Sequence, residues 1–323
     1  MPGSGFESHS VRSALSPHPQ AVRDAPAPKS PLVAVPGAAT RRTEPEEDPV
    51  SKAALTLMAV HAHPDDEAST TGGILARYSA EGIRTVLVTC TNGELGDGHA
   101  TSKPGDVAHD EAWVVATRRR ELEKSCEILG VTYLEMLGYR DSGMMGWPQN
   151  DAEGSFWTTP VATAAGRLSK LIEHYRPQVV VTYDANGFYG HPDHIQAHRI
   201  TVAALDATPI PDKLYYPGVP KSAMAEFRET LRSAGVQEPD EADEDWDFGV
   251  ADELISTTVD CSDYAPQHYA ALEAHASQSD GTFFLRLGVD LFSKLMSREM
   301  FVRAFDRTGA PTPEDDLFAG LRR

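Results

Sequence analysis

From about Ala53 onward, short apolar runs rich in β-branched residues alternate with longer segments whose apolar positions recur at helical spacing. Leu55 to His61 reads as a buried strand, and Gly73 to Glu81 as a helix with Ile74, Leu75 and Tyr78 on one side. The continuous run Val86-Leu87-Val88, bounded by Gly82 and by Asn92-Gly93, predicts a second strand over Arg84 to Thr89. Glu111 to Leu129 is a long helix stopped by Gly130. A third strand follows near Tyr133 to Leu137, then a helix from Ala162 to Tyr175 ended by Pro177, a fourth strand over Val179 to Thr182, and a helix from about His194 to Leu205. This βαβαβαβα order predicts an α/β fold of Rossmann-like type, a mostly parallel sheet with helices on both faces. Beyond Pro209 the pattern is weaker: strands at Lys213 to Tyr216 and Leu254 to Val259, and a helix from Tyr264 to Ser277.

Residues 1–50 break this texture, with nine prolines and one aromatic, Phe6; they predict a disordered tail ahead of one domain spanning 51–323. The run Glu238 to Asp247, seven carboxylates in ten residues, reads as a solvated loop, since it lacks the glycine and ligand spacing of a calcium loop.

The balance of 29 basic against 48 acidic residues, a net charge of -19, speaks against nucleic acid or an anionic membrane as partner, because both need a lysine and arginine surplus. No run of eighteen apolar residues or secretory core is present. The pair Arg41-Arg42 is followed by acidic residues rather than an apolar stretch, so the expected location is cytoplasmic. Cys90, Cys126 and Cys261 are odd in number and widely spaced, and read as reduced packing residues.

In an open α/β sheet, ligands sit outside the carboxyl ends of the strands. After the first strand comes His61-Ala62-His63-Pro64-Asp65-Asp66-Glu67; after the fourth comes Tyr183-Asp184-Ala185-Asn186-Gly187-Phe188-Tyr189-Gly190-His191-Pro192-Asp193-His194. Each loop holds a His-Pro-Asp tripeptide, whose proline narrows the directions its neighbours can take. Imidazole and carboxylate converging from two loops suit zinc, and three protein ligands would leave a position for water. The bland alternative is that Asp65 or Asp66 caps the next helix and the second loop is a polar turn.

Together, His63-Pro64-Asp65-Asp66-Glu67 and Gly190-His191-Pro192-Asp193-His194 resemble the LmbE-like, or PIG-L, family of zinc-dependent N-acetylglucosaminyl deacetylases and amidases. The mycothiol branch, with its N-acetylglucosaminyl-inositol deacetylase and S-conjugate amidase, is the most similar. The resemblance runs from about Leu57 to Ala203 and returns at Lys213 to Tyr216 and His275 to Gln278. It implies that His63, Asp66 and His194 bind zinc, with iron(II) as the alternative ion. By the same resemblance Asp65 is the general base, Tyr189 stabilises the oxyanion, His191 aids collapse of the intermediate, and Asp193 tunes a neighbouring histidine. Arg118 and Asp141 match positions that grip sugar hydroxyls, although Arg118 also sits in a run of three arginines on a helix. The substrate implied is a small amino sugar; the oligomeric state is left open.

Several residues keep two readings. His198 reads as a helix-face residue, His61 as a structural or supporting histidine, and His275 as a core residue that could reach the site. The glycines of Asn92 to Gly98 invite a nucleotide, but GxGxxG is absent. Met144, Met145 and Trp147 form either a pocket wall or a packed loop. The S-conjugate amidase carries a lysine three residues past the first motif, where this chain has Thr70, which speaks against the thiol-conjugate assignment; the acidic insertion before Asp247 and the extended tail depart from the compact deacetylase, so a deacetylase for an amino-sugar natural product stays open. An α/β binding module without metal is the non-enzymatic alternative.

Overall fold

In the computed structural model, residues 55–233, 235, 249–279 and 282–322 are described. The expected tail at 1–50 and acidic loop at 238–247 lie outside these residues. The elements run β1 (Thr56–His61), α1 (Asp66–Thr70), α2 (Gly72–Ala80), β2 (Arg84–Thr91), α3 (Glu111–Leu129), β3 (Tyr133–Tyr139), α4 (Val161–Tyr175) and β4 (Val179–Val181). There follow α5 (Gly187–Gly190), α6 (Pro192–Ala207), β5 (Lys213–Pro217), α7 (Lys221–Ser233), β6 (Thr257–Asp260), α8 (Ala265–Ala274), α9 (Thr282–Arg286), α10 (Gly288–Leu295) and β7 (Arg298–Asp306).

The sheet order is β3-β2-β1-β4-β5-β7-β6, with β1 to β5 parallel. Every residue of β1 is buried because alternate side chains enter two different cores. Leu57 and Ala59 pack with Ile74, Leu122 and Leu272, whereas Met58 and Val60 pack with Leu168, Ile172 and Ile200. Helices α2, α3 and α8 therefore cover one face, and α4 and α6 the other. The long helix α3 has the expected bounds: the Asp110 carboxylate accepts from the Ala112 and Trp113 N–H groups, and Gly130 closes it in the left-handed conformation at φ 71°.

The C-terminal third departs from the expectation. Strand β6 starts at Thr257 rather than Leu254, whose side chain is exposed, and β7, which the pattern did not predict, inserts antiparallel between β5 and β6. Helix α8 stops at Ala274, and α7 and α10 were likewise not expected. A buried charged group locks this corner: Lys213 Nζ and Arg303 donate to Glu314 Oε1 at 2.6 and 2.8 Å, and Tyr215 donates to Oε2 at 2.8 Å. All three cysteines are free and buried. Among the described residues, no helix is long and apolar enough to cross a membrane.

Strand order reverses between β1 and β4: the chain builds outward to β2 and β3 on one side and to β5 on the other. That is the switch point, where two successive connections leave in opposite directions and open a crevice. The two His-Pro-Asp loops leave these two strands.

Candidate active site

The first loop turns sharply. Asp65 adopts φ 129°, a conformation L residues rarely take, and leads into the five-residue α1. The Asp65 side chain makes no capping bond to α1, and the Asp66 carboxylate turns back to accept the His63 N–H at 2.7 Å. Neither aspartate is spent on helix capping. The second loop makes one turn, α5, before Pro192 starts α6 with His191 as its cap. Gly187, at φ 64°, lets this loop lie against the next helix: a Cβ there would stand 2.8 Å from His194 Cβ.

His63, Asp66 and His194 converge. His63 Nδ1 stands 3.3 Å from His194 Nε2, and the Asp66 carboxylate lies 3.5 Å from each imidazole. Zinc bonds of about 2.0–2.1 Å in a tetrahedral arrangement put neighbouring ligand atoms roughly 3.3–3.4 Å apart. The two imidazole nitrogens match that spacing and Asp66 offers one oxygen toward each ring, so the three side chains could hold one ion. Donors of His63, His191 and His194, and of His63, Asp141 and Asp193, also fall within 4.8 Å of one another.

The protonation states suit a cation. Burial pushes His194 down to about 4, against the pull of Asp66, so its imidazole is neutral. Burial would raise Asp66, but His194 and His63 hold it well below the usual carboxylate range. At His63 burial is outweighed by Asp141, Asp193 and Asp66, which hold it well above its ordinary value. Positive charge is thus stabilised at this spot, and a divalent ion answers the same field.

The surrounding residues set orientation. Asp193 Oδ2 lies 3.3 Å from His63 Nε2 and accepts the Ser142 N–H at 2.9 Å, leaving His63 Nδ1 aimed at His194 and Asp66. His191 Nδ1 accepts the Asp193 N–H at 3.1 Å, so the neutral ring carries its proton on Nε2. Burial, then His63 and His194, hold His191 well below its ordinary value, so its ring is neutral. Asp141, on the loop after β3, places Oδ1 3.8 Å from His63 Nε2 and accepts the Gly143 N–H. Tyr189 is 39% exposed at the mouth, its ring 5.1 Å from that of His194.

Asp65 faces the same crevice with 24% of its side chain exposed. Burial raises it to about 6, with the Arg118 guanidinium pulling the other way. Arg118, expected to grip sugar hydroxyls, is itself buried and donates to Asp65 Oδ2, Pro64 O and Gly93 O at 2.8, 2.7 and 3.0 Å. It ties the first loop to the glycine-bearing loop after β2. Those glycines, which had invited a nucleotide, make room for the guanidinium: a Cβ on Gly93 would meet Arg118 at 2.5 Å.

Tyr183 is a site residue that the sequence reading left without a role. Its ring stacks on His194 at 4.1 Å and 20°, and its hydroxyl accepts the Ala62 N–H at 3.1 Å and lies 3.2 Å from His61 Nδ1. Its place just past the end of β4, where ligands of an open α/β sheet gather, was the available signal. His61 is a supporting residue here, bonded also to Thr71. His198 lies outside the cluster, 2.9 Å from Tyr183 O and packed on Tyr216. Met144, Met145 and Trp147 are exposed on the loop after Asp141.

The family described as GlcNAc-PI de-N-acetylase, PIG-L, matches residues 58–205. A 1D-myo-inositol 2-acetamido-2-deoxy-alpha-D-glucopyranoside deacetylase from Acidothermus cellulolyticus is 44% identical over 278 residues, covering 82% of this chain and 95% of its own. The enzyme of that name from Geodermatophilus obscurus is 41% identical, covering 82% and 97%. Among solved structures, the N,N'-diacetylchitobiose deacetylase of Pyrococcus horikoshii shares the fold, with a TM-score of 0.50 at 19% identity over 77% of this chain and 84% of that one.

Proposed function

The chain belongs to the PIG-L family of deacetylases, and from that premise we propose that it hydrolyses the acetamide of an N-acetylglucosaminyl-inositol. The observation that carries the reading is the spacing of His63 Nδ1, His194 Nε2 and the Asp66 carboxylate, beside an Asp65 that binds none of them. Hydrolysis adds the elements of water across the C–N bond, releases acetate and leaves the free 2-amino group.

His63, Asp66 and His194 would hold the ion, zinc by the mixed nitrogen and oxygen donor set, with iron(II) as the alternative. When bound, such an ion lowers the pKa of a coordinated water to about 7 and polarises a carbonyl. Asp65, raised to about 6, is ionised at neutral pH and takes the proton of the attacking water. Arg118 keeps that carboxylate pointed into the crevice. The His191 Nε2–H and the Tyr189 hydroxyl donate to the oxygen that gains charge as the carbon becomes tetrahedral. His191 is neutral, so the proton for the departing amine comes from Asp65, which has just received one. Asp193 holds the His63 ring, and Asp141, beside it, borders the space for the sugar.

The relatives support the deacetylase over the S-conjugate amidase, as does Thr70 in place of lysine. Cytoplasmic location and a small-molecule partner fit the acidic surface charge. Chelator-sensitive release of primary amine from N-acetylglucosaminyl-inositol tests this function. Amine release from a mycothiol S-conjugate instead would move the assignment to the amidase.

A further inference from the structure

Beneath Asp65 lies a buried network that the chemistry above does not use. Glu67 is fully buried, and its two oxygens split their work. Oε2 accepts the Asp65 backbone N–H at 3.1 Å; Oε1 accepts the Ser125 hydroxyl at 2.5 Å and pairs with His275 Nε2 at 2.7 Å. Ser125 comes from α3, and His275 from the end of α8, 208 positions after Glu67.

Asp65, a strained residue of the site, is the one that this network grips. A non-glycine residue at φ 129° relaxes unless its surroundings hold it. Arg118 fixes the Asp65 carboxylate, and Glu67 fixes its peptide nitrogen. Glu67 could do this only as a buried carboxylate supplied with donors, which His275 and Ser125 provide. We propose that Glu67 and His275 are positioning residues for the reaction: anchored by the C-terminal helix, they hold Asp65 in its strained conformation so that its carboxylate meets the water rather than the neighbouring ligands. The assignment rests on the proposed function, with Asp65 as base.

The test uses full-length protein loaded with zinc, N-acetylglucosaminyl-inositol as substrate, and the variants His275→Leu, His275→Gln and Glu67→Gln. A glutamine at 275 carries an N–H near the place of imidazole Nε2; leucine carries none. His275→Leu is expected to lower kcat about 10- to 100-fold, as for a reacting group misplaced by an ångström. KM and bound zinc should stay within twofold, and His275→Gln should recover at least half the activity. Glu67→Gln takes the place of His275→Leu if that protein fails to fold. Unchanged kcat, loss of zinc in step with activity, a rise in KM alone, or no rescue by glutamine overturns the proposal. Wild-type turnover separates the two claims: its absence refutes the function, while variants matching an active wild type refute the positioning. A crystal structure of His275→Leu reads the same point without substrate. Asp65 should leave positive φ; Asp65 unmoved would overturn the inference.

Discussion

Replacing Asp193 by Asn probes how the site prepares its ligands. One oxygen, Oδ2, serves both His63 Nε2 and the Ser142 N–H, while Oδ1 is buried without a partner among the described residues. An asparagine has two ways to sit. With its oxygen in the Oδ2 place it keeps both bonds as a weaker, uncharged acceptor and buries an amide NH2 where Oδ1 stood. Turned over, it sets NH2 against the Ser142 N–H and favours a proton on His63 Nδ1, the nitrogen that faces His194 and Asp66. Losing a charged acceptor behind a ligating histidine typically weakens metal binding about 10- to 100-fold, or roughly 1.4–2.8 kcal/mol. Competition against a chromophoric chelator measures this directly, with circular dichroism to show that the fold is intact. Zinc affinity within twofold of wild type would refute the argument that Asp193 sets the tautomer of His63.

Other outcomes follow from the same geometry. Asp65→Asn should retain zinc and lose about 10²–10⁴-fold in kcat, as for removal of a general base, measured by amine release beside metal content. Tyr189→Phe keeps the exposed ring and removes the hydroxyl; it should lower kcat by about 10²-fold with little change in KM if that group donates to the oxyanion. Glu299, buried against the Gly73 and Ile74 N–H groups, is raised by that burial from 4.5 to about 8. A carboxyl raised on folding keeps a proton that the unfolded chain gives up above about pH 4.5. Its stabilising share is therefore fully present below that pH and is lost as pH climbs to 8. The difference in melting temperature between wild type and Glu299→Gln should shift by several degrees against the wild type from pH 5 to 8; a constant difference would contradict the raised value.

Much of the parallel half of the sheet was legible because β1, β2 and β4 are continuous apolar runs punctuated by glycine, proline or asparagine, and α3 ends at its stop signal, Gly130. The inserted strand β7 was not. Its buried positions include Glu299, and only two of its nine residues are buried, so alternation is faint and the antiparallel reversal leaves no local mark. At the site, the paired His-Pro-Asp motifs pointed to the converging donors because strand ends are where such loops must go. Arg118 illustrates the limit: its type and helix position were evident, but that its donors turn inward to Pro64, Asp65 and Gly93 depends on where two other loops lie. The pairing of His275 with Glu67 joins residues 208 positions apart, and nothing local to either records it.

Amine release from N-acetylglucosaminyl-inositol, the substrate named for the Acidothermus cellulolyticus relative, tests the central claim most directly when run with zinc-reconstituted and chelated protein side by side. The account predicts equimolar acetate and primary amine from the zinc-loaded protein, abolished by chelator and restored by added zinc. Stoichiometrically loaded protein that releases no amine, or release that the chelator leaves untouched, would contradict it.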